Sequence, residues 1–308
     1  MEIRQLKALA RQRVEASRFH AKKLALIFTG AAVALSFAVT LVSFLLSRQM
    51  ESAVGISGIG TRTALSAAQM LLFIGGAIAT PFWNLGYTRA ALDTVRDGNA
   101  EPRTLLEGFR LFFPAIRLFL LKAALLAVIA VVGAQAGAIL YMLTPASMTA
   151  LELMEKIVAG GEAAMADPAV MEQLLQVFWP MYLLVAAVLL AVMTPVFYRL
   201  RLVEFSLVDG KERALLNMAH SNFRMRYNCF WMFKLDVSFW WYFLLQGLAA
   251  ALAYGDLLFG GGDVAYWVFY LLSAGVQLLI GWQFLPGVQA SYALAYEELT
   301  KDDKNHGI

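Results

Sequence analysis

Six long apolar blocks constrain this chain more than any other feature. They lie at roughly 24–47, 64–87, 118–143, 178–198, 229–254 and 265–292. Each reaches the ~20 residues that a helix needs to cross a bilayer, and no mid-block position is charged. Lipid offers no hydrogen bonds, so such blocks must satisfy their own backbone groups and fold as helices. Composition agrees: 60% of the 308 residues are hydrophobic and 15% charged, against about 45–50% and about 25% in soluble domains. The expected fold is all-α and polytopic, with six transmembrane helices in one integral membrane domain over 1–308. The first block follows Lys22 and Lys23, but it exceeds the ~7–15 residues of a signal peptide's apolar core. It reads as an uncleaved span.

Lys and Arg set orientation, because cytoplasmic loops retain them. Putting the N-terminus, the loops 88–117 and 199–228, the span entrances after them and the C-terminus on one side collects 22 of the 25 basic residues there. The other side keeps only Arg48, Arg62 and Lys156, against eight acids. Both termini are therefore expected in the cytoplasm. The overall net charge of +3 is too small to point to nucleic acid.

The connecting segments carry patterns of their own. In residues 1–22, Arg4, Lys7, Arg11 and Arg18 share one helical face, and Ile3, Leu6, Ala10 and Val14 another. A basic amphipathic helix of this kind can lie in the interface and attract anionic headgroups; equally, it can be a solvated helix packed on the protein's own underside. The outer segment 145–177 reads as two short helices punctuated by Gly160-Gly161 and Asp167-Pro168, with Leu151, Met154 and Val158 on one face and Val170, Leu174 and Phe178 on another. Packing accounts for it more simply than ligand binding.

A repeat is also visible. The even-numbered blocks end in TPFWNLGYTRAALDTVRDG (80–98), TPVFYRLRLVEFSLVDG (194–210) and LPGVQASYALAYEELTKDD (285–303). Each has a proline, Pro81, Pro195 or Pro286, followed 14–16 residues later by Asp97, Asp209 or Asp302. Amphipathic stretches precede the odd-numbered blocks, so the expected unit is interfacial helix, span and kinked span, used three times. Proline removes one helical hydrogen bond, which here would free the carbonyls of Ala77, Ala191 and Trp282.

Chemistry is sparse. The mid-span polar residues singled out are Gln69, Thr80, Asn84, Gln135, Thr194, Gln246, Gln277 and Gln283; none is an ionisable group of the kind that marks ion-coupled transport. HExxH, GxSxG and P-loop motifs are absent, His20, His220 and His306 are far apart, and Cys229 is the only cysteine. No catalytic, metal or cofactor site is expected. Gly133 and Gly137 form a small-xxx-small pair suited to close helix contact, internal to the chain or between copies. Oligomeric state stays open.

The stretch FKLDVSFWWYFLL (233–245) places an acid just inside a span. With Trp231 at headgroup level, Asp236 lies about 7 Å deeper along a helix. Lys234 can reach back to water, but Asp236 is too short. The expectation is a bridge from Asp236 to Arg199, Arg201 or Arg89 that pins the fifth span to an even-numbered one, with Ser238 bonding nearby backbone; alternatively, Asp236 faces inner-side water.

Residues 199–256 resemble the DUF975 family of bacterial integral membrane proteins. Ser221, Asn222, Phe233, Leu235, Asp236, Ser238, Phe239 and Trp241 match its pattern, while Trp240 replaces a family glycine. GYTRAALDTVRDGNAEPRTLLEGF (86–109) and SYALAYEEL (291–299) are similar to further family segments. The resemblance implies a bacterial cytoplasmic membrane protein and leaves activity open. The leading expectation is a non-enzymatic accessory or membrane-organising protein that meets anionic lipid through its basic inner face. The alternative is a small permease or exporter for an amphiphilic or apolar substrate.

Overall fold

A computed structural model describes residues 2–17, 20–52, 58–98, 100–165, 168–210, 214–255 and 262–305. Among them all regular structure is helical: α1 (Ile3–Ala16), α2 (Ala21–Ser52), α3 (Gly58–Arg96), a 3-10 turn (Pro102–Leu106), α4 (Glu107–Arg110), α5 (Phe112–Met142), α6 (Ala146–Met165), α7 (Pro168–Arg199), α8 (Val203–Asp209), α9 (Ala214–Met225), α10 (Cys229–Val237), α11 (Trp240–Ala253), α12 (Gly262–Gln283) and α13 (Leu285–Asn305). Five stretches are long and apolar enough to cross a membrane: Ala21–Met50, Gly60–Arg96, Phe112–Met142, Pro168–Asp209 and Gly262–Gln283. The bent pair α10 and α11 makes a sixth if it counts as one span. This is the make-up of a multi-pass membrane protein.

The sequence suggested one domain; packing divides the chain into two compact units, Met1–Ala115 with Leu202–Ile308, and Ile116–Arg201. In the second unit α5 and α7 approach through the small-residue pair. A Cβ on Gly133 would lie 2.9 Å from Leu189 Cδ2, and one on Gly137 2.8 Å from Val185 Cα. The pair therefore serves an internal contact. The segment 145–177 differs from expectation in two ways. Its second part is the first turns of α7, which starts on Pro168, a residue suited to a helix's first position. In α6 the buried face is Ala150, Leu153 and Ile157, while Leu151, Met154 and Val158 are exposed. Apolar residues surround this helix, so periodicity alone could not choose the face. Gly161, at φ +58°, breaks it.

In the first unit the buried core is not mid-membrane. Only 6% of the most apolar stretch of α2, and likewise of α3, is buried, because lipid is as apolar as leucine and gives those faces no reason to hide. The core gathers at the end of the spans nearest both termini. Leu24 and Ala25 of α2, Tyr87 and Ala90 of α3, Ala100, Leu105 and Leu285 pack together there, with Phe28, Trp83 and Tyr242 against them. Two glycines permit the closest approach. A Cβ on Gly86 would fall 1.9 Å from the Leu105 carbonyl oxygen, and one on Gly108 2.0 Å from that of Phe82. The segment 102–110 thus lies backbone against backbone on α3. α1 lays Leu6, Ala10 and Val14, all nearly inaccessible, onto α13 and α3.

The fifth block was expected as one helix over 229–254. It is broken at Ser238–Phe239 with a bend of 67°. The three prolines also differ: Pro81 and Pro195 lie inside continuous helices, but Pro286 stands at the second residue of α13. The sixth block, expected over 265–292, accordingly ends as α12 at Gln283.

Candidate functional site

The two helix breaks, at Ser238–Phe239 and at Phe284, come together beneath α1. The first follows from local hydrogen bonding. The Ser238 hydroxyl donates to the Leu235 carbonyl at 2.6 Å, and a serine that bonds backward in this way loosens a helix. The Ser238 carbonyl, which the ladder would offer to the Tyr242 amide, instead accepts from Lys7 Nζ at 2.9 Å. Tyr242 N–H turns to Phe239 O at 2.8 Å. Lys7 also lies 4.3 Å from the centre of the Phe239 ring. It therefore acts as a cap from another helix, a role its place on the basic face of α1 did not reveal. Partial burial pushes the Lys7 pKa down from its ordinary value, while the carbonyl and ring favour the charged form.

A cavity of about 370 Å³ opens at this junction. Lys7, Arg11 and Lys22 bring three cations to it; Glu15 brings one acid; Phe239, Phe284, Pro286 and Val288 give it an apolar side. Arg11 pairs with Glu15 at 3.1 Å, an exposed i,i+4 pair that contributes little. Lys22 has no ion-pair partner among the described residues. Arg4 is exposed on the same helix. Arg18 lies outside the described residues.

No family model, curated protein or solved structure matches this chain. The geometry of the site therefore carries the functional argument.

Asp236 accepts a hydrogen bond from the Tyr292 hydroxyl of α13 at 2.5 Å, and Tyr292 is 4% exposed. The expected role, docking the fifth span, is thus filled by a tyrosine that sequence reasoning did not name. Of the three arginines expected opposite it, Arg89 approaches Asp93 at 3.2 Å and Glu107 at 3.9 Å and donates from Nη1 to Val208 O at 2.9 Å. Arg199 and Arg201 belong to the second unit, where the Arg201 guanidinium lies 5.3 Å from the Phe197 ring centre.

A second cluster ties four elements of the first unit. Arg96, at the end of α3, donates from Nε to Glu297 at 2.6 Å and from Nη1 to Asp209 at 2.5 Å. The Tyr296 hydroxyl donates to the other Asp209 oxygen at 3.0 Å, and the Arg224 guanidinium lies 5.4 Å from the Tyr296 ring centre. Burial, and then the neighbouring carboxylate, push the Tyr296 phenol above its ordinary value. The three acidic turns singled out in the sequence thus have unequal outcomes: Asp209 is bonded to Arg96, Asp97 forms a turn, and the Asp302 side chain lies outside the description. Arg96, Glu297, Tyr292 and Tyr296 were missed. The available signal was the spacing 292, 296, 299, which puts Tyr292, Tyr296 and Leu299 on one buried face of α13.

Among the described residues no three His, Cys, Asp or Glu side chains gather as metal ligands. The arrangement can bind an anion beside an apolar surface.

Proposed function

We propose that this is a non-enzymatic protein of the bacterial cytoplasmic membrane, accessory or membrane-organising, that holds an anionic lipid headgroup at its inner face. The carrying observation is the cavity where Lys7, Arg11 and Lys22 meet Phe239, Phe284 and Pro286. Three cations suit a phosphate, and the apolar side suits the first carbons of acyl chains. The lipid would be held by electrostatics in this cavity rather than by insertion of α1, whose apolar face is occupied by α13 and α3. The charge bias supports cytoplasmic termini. The resemblance to the DUF975 family and the three proline-bearing blocks support a six-span plan of three helix pairs. Neither nucleic acid nor a cofactor enters this reading.

The test uses the full chain in nanodiscs of phosphatidylcholine with or without phosphatidylglycerol. The double variant Arg11→Gln/Lys22→Gln leaves the Lys7 cap in place. Expected is enrichment of phosphatidylglycerol around the wild-type chain, reduced several-fold in the variant and by added salt. Equal enrichment in both would refute the site.

A second reading, a small permease for an amphiphilic substrate, is supported by a polar-lined cavity among α2, α11 and α12. Substrate-dependent counterflow in proteoliposomes would distinguish it.

A further inference from the structure

The span α2 carries a stripe of hydroxyls at positions 29, 36, 40, 43 and 47, on one helical face by the spacing of 3, 4 and 7. Halfway along, this stripe borders a cavity of about 500 Å³ closed by α11 and α12. Ser36, Thr40, Tyr254, Tyr266, Tyr270, Ser273 and Gln277 supply its polar lining, with Val33, Ala253 and Ala274 between them. Among the described residues no charged side chain lines it.

Some of these polar groups are mutually satisfied. Ser36 and Tyr270 share a hydrogen bond at 3.0 Å. Ser273 donates to Ala249 O at 2.7 Å, and Gln277 Nε2 donates to Ser273 Oγ at 3.3 Å. Others are not. The hydroxyls of Thr40 and Tyr254, and the carbonyl oxygen of Gln277, have no hydrogen-bond partner among the described residues. Thr40 and Gln277 lie inside apolar helices, where unmatched polar groups are unfavourable, while Tyr254 stands exposed just after α11; the cavity calls for an occupant that offers both donors and acceptors.

We propose that this cavity binds a neutral, hydroxyl-rich ring or polyol, of the kind carried as a glycolipid headgroup. An ionic headgroup would meet no counter-charge there among the described residues. A bare acyl chain would leave Thr40, Tyr254 and Gln277 unmatched. A polyol ring presents hydroxyls for these three and C–H faces for the tyrosine rings. The volume falls within the ~300–1,000 Å³ of small-molecule sites. The inference is independent of the basic cavity under α1, which selects by charge.

Trp267 provides a reporter, its ring centre 5.4 Å from that of Tyr266 and 6.0 Å from that of Tyr270. The full chain in phosphatidylcholine nanodiscs is titrated with a short-chain monoglucosyl diacylglycerol, with methyl glucoside and with phosphatidylglycerol, following tryptophan fluorescence. Expected is a saturable response to a neutral probe that disappears in Trp267→Phe. Thr40→Val and Gln277→Leu each weaken the affinity at least tenfold at an unchanged melting temperature. Saturation by the glycolipid alone assigns a membrane source; saturation by the glucoside as well shows that the polyol group suffices. Thr40 has no protein partner to lose, so its variant keeps the test decisive should Gln277→Leu fail to fold. No saturable response to either neutral probe, an equal response to phosphatidylglycerol at this reporter, or unchanged affinity in Thr40→Val would overturn the proposal.

Discussion

Substituting Gly108 by alanine should destabilise the first unit strongly, for a reason visible only in three dimensions. The new Cβ would lie 2.0 Å from Phe82 O, 2.6 Å from Gly86 N and 3.0 Å from Phe82 C. All three are backbone atoms of α3, so no rotamer relieves the overlap. Ordinary contact begins near 3.4 Å, so the 102–110 segment must retreat by roughly 1.4 Å, enough to strip dispersion contacts from both surfaces. Leu105 and Phe82, at 1% and 2% exposure, would lose packing together. Overpacking of this kind costs about 1–3 kcal/mol, and rigid backbone on both sides places it at the upper end. Alanine's better helix propensity within α4 returns about 0.5–1 kcal/mol. The net expectation is a loss of about 2–2.5 kcal/mol. Gly287 is the control: a Cβ there meets nothing within 4 Å, and Gly287→Ala in α13 should be neutral or slightly stabilising. Thermal unfolding in detergent can be followed with a fluorogenic thiol dye, since Cys229 is the only cysteine and is partly buried. A Gly108→Ala midpoint equal to or above that of Gly287→Ala would refute the close approach of this segment to α3.

The same assay addresses the docking bonds. Tyr292→Phe removes the donor to Asp236 and should cost about 1–3 kcal/mol; Asp236→Asn keeps an acceptor and should cost less, and equal losses would count against the bond. Arg96→Met leaves Asp209 and Glu297 without their shared cation. With Arg96 about a third exposed, the loss expected for a buried pair is reduced by solvent to about 2–3 kcal/mol, and adding Glu297→Gln should recover part of it. Tyr296 predicts a pH dependence: its folded state favours the neutral phenol, so this contribution is complete below the unfolded value near ~10 and is lost as pH rises through the higher folded value. Wild type should therefore lose stability more steeply than Tyr296→Phe as pH climbs from the unfolded value toward the folded one; identical alkaline limbs would contradict the assignment.

Legibility in the sequence was uneven. The amphipathic face of α1 was plain in residues 3–14, but what covers it was not. Leu6, Ala10 and Val14 would suit a bilayer interface as well as they suit α13. The acid at 236 could be recognised as needing a partner, yet three arginines competed on paper and a tyrosine 56 residues away met it. Tyr292 was hard to read because its i,i+4 spacing with Tyr296 straddles the end of the last apolar block, in a helix of low mean hydropathy. The polar face of α2 was readable from its spacing and was passed over, because serine and threonine in a span ordinarily bond their own backbone.

The sequence by itself determined the elements. Lipid leaves a long apolar block no option but to satisfy its backbone within a helix. Tertiary structure completed the break that Ser238 begins locally, where Lys7 arrives from another helix to take a carbonyl that the helix would have kept. It decided which face of α6 is buried, and it decided that the densest packing lies at the ends of the spans, next to the termini, and not in their middles. The physical reason is the same in each case. Apolar residues are indifferent between lipid and protein, so the hydrophobic pattern sets which segments are helices, while sparse polar contacts and close-fitting glycines set which helices meet.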